Sequence, residues 1–192
     1  MKKSLYLFLG GLLFGISILG CSTSLSDKSK LVASTENSTS RSNTTSRSAT
    51  FILVRHAEKE QGVKNPNLTE KGTARAKELA RTLEHISLDG IFSSNYNRTL
   101  ATARPIAATN NLETNVYNPS NLSDFKEQLL SEYPNSTVLI VGHSNTTPDL
   151  INLLMGENRL AHLGEKEYDD LFVVTILENE KPTLLRMTYG EE

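Results

Sequence analysis

The chain has one cysteine, no tryptophan and 6% aromatic residues among its 192 positions. One cysteine excludes an intrachain disulfide framework and a cysteine-based zinc finger. Long hydrophobic runs are also missing. The longest uncharged apolar stretch, residues 5–19, has fifteen residues, short of the about 20 that a membrane-spanning helix needs. Positive charge is scarce where a folded domain is expected: residues 51–192 carry 14 basic and 20 acidic side chains, a net of −6. A domain this acidic excludes nucleic acid as a partner, because that binding draws on many Lys/Arg–phosphate contacts. What remains is ordinary for a soluble globular protein, with 38% hydrophobic and 22% charged residues. The 142 residues from 51 onward match the size of one domain with its own core.

The first fifty residues divide in two. Met1-Lys2-Lys3 is a short positive start, the apolar run follows, and Ile18-Leu19-Gly20-Cys21 closes it. These are the flanks of a secretory signal, and the small residue before Cys21 resembles the lipobox of bacterial lipoproteins. That resemblance implies a signal peptide over 1–20 and acylation of Cys21. It also implies a protein lipid-anchored to a membrane of the bacterial cell envelope and facing outside the cytoplasm. Residues 22–50 contain ten Ser and six Thr among 29 positions, without aromatic residues, Gly or Pro. Such a segment cannot bury enough apolar surface to offset its ordering entropy, so 21–50 reads as a flexible tether.

From residue 51 the pattern alternates. Phe51-Ile-Leu-Val54 and Thr137-Val-Leu-Ile-Val141 are continuous apolar runs, the signature of strands buried on both faces. Thr69 is placed to cap a helix whose apolar positions Ala76, Leu79, Ala80 and Leu83 follow helical spacing. Ile91-Phe92, 114–117, 171–177 and 183–188 read as further strands, the last two as a hairpin. Helices are expected over 98–109, with a bend at Pro105, and over 124–132. Another is expected to open near Thr147-Pro148, with proline at its first position. This order predicts a three-layer α/β/α domain with a mostly parallel sheet. Ligands of such sheets sit beyond the carboxyl ends of the strands. Arg55-His56 and Gly142-His143 each directly follow an apolar strand, so parallel neighbouring strands would bring both histidines to one crevice.

Val54-Arg55-His56-Ala57-Glu58, Arg98-Thr-Leu-Ala-Thr102-Ala103-Arg-Pro105 and Val141-Gly142-His143-Ser144 stand in the order and context of three motifs of the histidine phosphatase superfamily. Residues 51–192 resemble that phosphoglycerate mutase-like family throughout, including Leu68-Thr69-Glu70-Lys71-Gly72 at the opening of its first helix. The resemblance implies a hydrolase in which His56 is phosphorylated and water then hydrolyses the phosphohistidine. That route needs neither metal nor other cofactor. Its substrate would be a phosphorylated small molecule or a phosphohistidine.

In the same reading Arg55 and Arg98 grip phosphate oxygens through planar, permanently charged guanidiniums. His143, protonated or donating a hydrogen bond, neutralises a third oxygen. Ser144 and the turn to Thr147 add the positive end of a helix. The general acid departs from the family pattern: Tyr117-Asn118-Pro119-Ser120-Asn121 holds no carboxylate before Asp124. Glu58, Asp149, Asp169 and Asp170 are the candidates. For Glu58 the alternative is to orient Arg55 or His56. Lys59 is either at the pocket rim or solvated. Ser93 and Ser94 either donate to phosphate or simply end a strand, and His85 and His162 are expected at the surface. Two rival readings are a metal site of His56, Glu58 and His143, and a lipid-tethered module that binds phosphate ligands without turnover.

Overall fold

The computed structural model describes residues 47–190; the expected signal peptide over 1–20, Cys21 and most of the tether lie outside them. Among the described residues no helix is long and apolar enough to cross a membrane. Ten elements alternate as expected: β1 Ser48–Arg55, α1 Glu70–Thr82, β2 Gly90–Ser94, α2 Asn97–Asn110, β3 Thr114–Tyr117, α3 Leu122–Glu132, β4 Thr137–Gly142, α4 Thr146–Met155, β5 Asp170–Leu177 and β6 Thr183–Thr188. The six strands form one sheet in the order β3-β2-β4-β1-β5-β6. The β1–β4, β2–β4 and β2–β3 pairs are parallel, while β5 runs antiparallel to both β1 and β6. The sheet is therefore mostly parallel, and it ends in the expected hairpin.

The unbroken apolar runs are explained by two cores, one on each face. Phe51 and Leu53 of β1 pack with Phe125 and Leu129 of α3 and Leu150 and Ile151 of α4. Ile52 and Val54 point the other way, toward Leu79 and Leu83 near α1 and Ala103 and Ile106 of α2. Adjacent side chains of a strand face opposite sides, so covering both faces requires apolar residues at every position. Three layers result.

Several boundaries differ from the sequence reading, among them the openings of β1, α3 and α4. β1 begins at Ser48, so residues 48–50 belong to the sheet rather than to a tether ending at 50; they pair with Leu177, Ile176 and Thr175 of β5. α4 opens at Thr146, which places Pro148 third rather than first. It remains in the first turn, where a missing N–H costs no helical bond. α2 runs continuously through Pro105.

Two features fix the ends of the central strands. β1 and β4 align Arg55 with Gly142, so the residues that follow, His56 and His143, leave the sheet side by side. Thr69 caps α1 as expected, its hydroxyl accepting from the amide of Gly72 at 3.0 Å. Gly72 itself is required by proximity: a Cβ there would lie 2.1 Å from the carbonyl oxygen of Glu58.

Candidate active site

The carboxyl ends of β1, β2 and β4 meet at a cavity of about 470 Å³ lined by Arg55, His56, Arg98, His143 and Ser144, among others. Arg55 and His56 follow from β1, His143 from β4, and Arg98 stands in the first turn of α2 after β2. Backbone and hydroxyl bonds lock these segments together. The His56 amide donates to the Gly142 carbonyl at 3.0 Å, and the Ala57 amide donates to the Thr102 hydroxyl at 3.0 Å. That hydroxyl in turn donates to the Arg98 carbonyl at 2.7 Å. The β1–α1 connection and the start of α2 are thus coupled.

The two imidazoles lie 5.5 Å apart, centroid to centroid, but are held in different states. His56 Nδ1 lies 2.8 Å from the Ala57 carbonyl oxygen. A carbonyl only accepts, so Nδ1 carries the proton and Nε2 keeps its lone pair. Burial, together with the charges of Arg55, Arg98 and His143, pushes the His56 pKa down to about 3, against the hydrogen bond to Ala57. The ring is therefore neutral at physiological pH.

His143 has the opposite tautomer. Arg98 donates to its Nδ1 at 3.2 Å, and Nε2 pairs with the Ser94 hydroxyl at 2.8 Å. Burial, then Arg98 and Arg55, lower its pKa to about 4. Of the two expected states, protonated or donating a hydrogen bond, the unliganded His143 is not the protonated one: it is neutral, accepting at Nδ1 and keeping its proton on Nε2, toward Ser94. Ser94 serves His143, and Ser93 turns its hydroxyl to the Ser94 carbonyl.

Both guanidiniums are desolvated without a carboxylate partner. Neither Arg55 nor Arg98 forms an ion pair among the described residues, and the Nε of each is buried with no hydrogen-bond partner. Burial lowers both from their ordinary pKa, yet a guanidinium keeps its charge in proteins. Each lies over a tyrosine ring that the sequence reading missed, Arg55 over Tyr168 at 4.1 Å and Arg98 over Tyr96 at 4.5 Å. Nothing local marks these tyrosines, because their roles arise only when the loops close on the arginines. Two desolvated positive side chains lining a small cavity define a site for a compact anion.

The remaining candidates are placed elsewhere. Glu58 is neither an acid in the cavity nor an orienter of Arg55 or His56: both its oxygens are taken by Arg75, with three contacts of 3.0 Å. The metal set of His56, Glu58 and His143 is therefore not assembled, and the described residues hold no cluster of three or more His, Cys, Asp or Glu suited to a metal. Asp149 pairs with His162 at 3.1 Å, and Asp170 holds Arg186 at 2.6 and 2.8 Å. Asp169 accepts the Tyr189 amide through its backbone. His85 and His162 are exposed. Ser144 and Lys59 both line the cavity. The Thr147 amide is already given to the His143 carbonyl at 3.1 Å, which removes it from the amides expected to face an anion. The one carboxylate lining the cavity, Glu165, comes from the α4–β5 connection and was not anticipated.

The class follows from fold and site together. Residues 51–118 match the family model of the histidine phosphatase superfamily (branch 1). This segment carries Arg55, His56 and Arg98 and ends before His143. Phosphoserine phosphatase 1 of Hydrogenobacter thermophilus is 48% identical over 70 residues, which cover 33% of this chain and 33% of that protein. The match thus spans a third of the curated relative's length. Among solved structures, the protein histidine phosphatase SixA complexed with tungstate superposes with a TM-score of 0.58 at 17% identity, covering 72% of this chain and 96% of that one. A mutant phosphoserine phosphatase from Entamoeba histolytica in complex with phosphoserine gives 0.54 at 19% identity, covering 73% and 96%. The domain has the phosphoglycerate mutase-like fold, and the family match supports the histidine phosphatase superfamily.

Proposed function

We propose that this domain is a phosphatase that hydrolyses phosphomonoesters, or phosphohistidine, through a phosphohistidine formed on His56. The observation that carries the reading is the tautomer of His56, whose unprotonated Nε2 shares the cavity with two desolvated guanidiniums that form no ion pair among the described residues. Arg55 and Arg98 hold the phosphoryl oxygens and stabilise charge as it develops. Nε2 attacks phosphorus, the bond from phosphorus to the leaving oxygen breaks, and the alcohol departs with a proton from solvent. Water then attacks the phosphohistidine, the N–P bond breaks, and inorganic phosphate leaves with Nε2 restored. A bound dianion competes with His143 for Arg98 and favours a proton on His143 Nδ1, so this imidazole becomes a donor once the ligand arrives.

The leader supports an address at the cell envelope. Acylation at Cys21 would hold the domain on a membrane, at roughly 0.8 kcal/mol per buried methylene. Mass spectrometry of the membrane fraction checks this; a mature N-terminus other than Cys21 would end the idea.

Turnover is tested with p-nitrophenyl phosphate in EDTA, using the full chain and its His56→Ala variant. We expect release that EDTA does not stop, acid-labile phosphate trapped on His56, and a loss of more than about 10³-fold in the variant. Phosphate binding without turnover of any phosphoester or phosphohistidine would favour the non-catalytic binding module instead.

A further inference from the structure

A second cavity, of about 310 Å³, adjoins the first, and Arg55, Lys59 and Glu165 line both. Lys59 and Glu165 therefore stand on the border between the two cavities, within reach of a leaving group whose phosphoryl is held by the arginines. Both are positioned by bonds that belong to the site. Arg55 Nη1 donates to the carbonyls of Gly164 and Glu167 at 2.7 and 3.0 Å, on either side of Glu165. The same turn is tied to the site by the Leu163 amide on the Ser144 carbonyl, at 2.8 Å. Lys59 is fixed through its backbone by a bridge to Leu68.

Glu165 is set apart from the acids around it. Glu58 is engaged by Arg75, Asp149 by His162 and Asp170 by Arg186. The Glu167 carboxylate accepts the Gly164 amide at 2.7 Å. The carboxylate of Glu165 has no hydrogen bond or ion pair with any described residue. Its charge is felt by Arg55, but an anion at the mouth of an anion site still repels a bare phosphate. It favours only ligands that bring a positive charge to it, which is how a repulsive element creates specificity.

Resting on the phosphatase reading above, we propose that Glu165 and Lys59 select the leaving group: a zwitterionic alcohol, with its ammonium at Glu165 and its carboxylate at Lys59. The substrate class is then a phosphomonoester of a hydroxy amino acid.

Four esters of matched size separate the two charges: O-phosphoserine (both), O-phosphoethanolamine (ammonium only), 3-phosphooxypropanoate (carboxylate only) and propyl phosphate (neither). In the full chain, Glu165→Gln is expected to lower kcat/KM about fivefold on the two ammonium-bearing esters, the size of one partly exposed ion pair, and, by removing the repulsion, to raise it on the other two. Lys59→Met is expected to lower kcat/KM more on the two carboxylate-bearing esters than on the other two. An equal loss on all four with Glu165→Gln, as a proton donor would give, overturns the proposal, as does no loss on any. A wild-type chain that turns over none of these esters, nor p-nitrophenyl phosphate, defeats the phosphatase reading alone. The same four-by-three comparison made as dissociation constants by calorimetry then decides the selection by charge.

Discussion

His56 and His143 are the same side chain in opposite tautomers, and their neighbours determine which atom is reactive. Ala57 takes the Nδ1 proton of one, while Arg98 fills the Nδ1 lone pair of the other. With pKa values of about 3 and about 4, both are neutral well below the usual histidine range. We therefore expect the acid limb of kcat/KM to fall below pH 5 once the substrate's own second ionisation is accounted for, since this profile reports the free enzyme. A limb between pH 6 and 7 would contradict the buried, neutral nucleophile.

Stability follows with a definite sign. The folded values lie below the unfolded one, so the unfolded chain binds more protons between about pH 6.5 and pH 3, and stability falls as pH drops through that window. Above pH 6.5 these groups contribute no slope. The loss is on the order of a few kcal/mol. Urea midpoints at pH 7 and pH 4.5 should converge in a His56→Asn, His143→Asn double variant. The site residues were legible because each directly follows a strand or opens a helix. Glu58 misled because its partner, Arg75, lies 17 residues away on α1, a pairing that no local pattern marks.

Among the elements, α1 shows how closely helix and loop are fitted. Its first turn passes the β1–α1 connection at a distance only glycine permits, because a Cβ on Gly72 would collide with the Glu58 backbone. Gly72→Ala is expected to cost about 1–3 kcal/mol, as overpacking does, and to shift the urea midpoint without changing the slope. The central strands were legible, because short continuous apolar runs bounded by polar turns suit strands with both faces covered. The start of α4 was not. Its first residue, Thr146, bonds back through its hydroxyl to the His143 amide at 3.0 Å, a tertiary detail that moves the helix opening ahead of its proline. The Glu165 turn was equally silent, since its position depends on Arg55, more than a hundred residues earlier.

For the whole molecule, the border between upstream chain and sheet could not be read from composition. Ser48-Ala49-Thr50 look like the Ser/Thr stretch before them, and only pairing with β5 makes them strand. The upstream chain enters the sheet at the amino end of β1, and His56 follows its carboxyl end, eight residues on. At roughly 3.3 Å per residue, about 26 Å separates the two. A bulky fluorescent protein fused ahead of residue 47 should therefore leave hydrolysis of p-nitrophenyl phosphate unchanged; a marked fall would mean that the upstream chain reaches the cavity. A mouth at the far end of β1 from residue 47 leaves the place where the upstream chain joins and the place where ligands enter at opposite ends of one strand, so that bulk added at the first does not crowd the second.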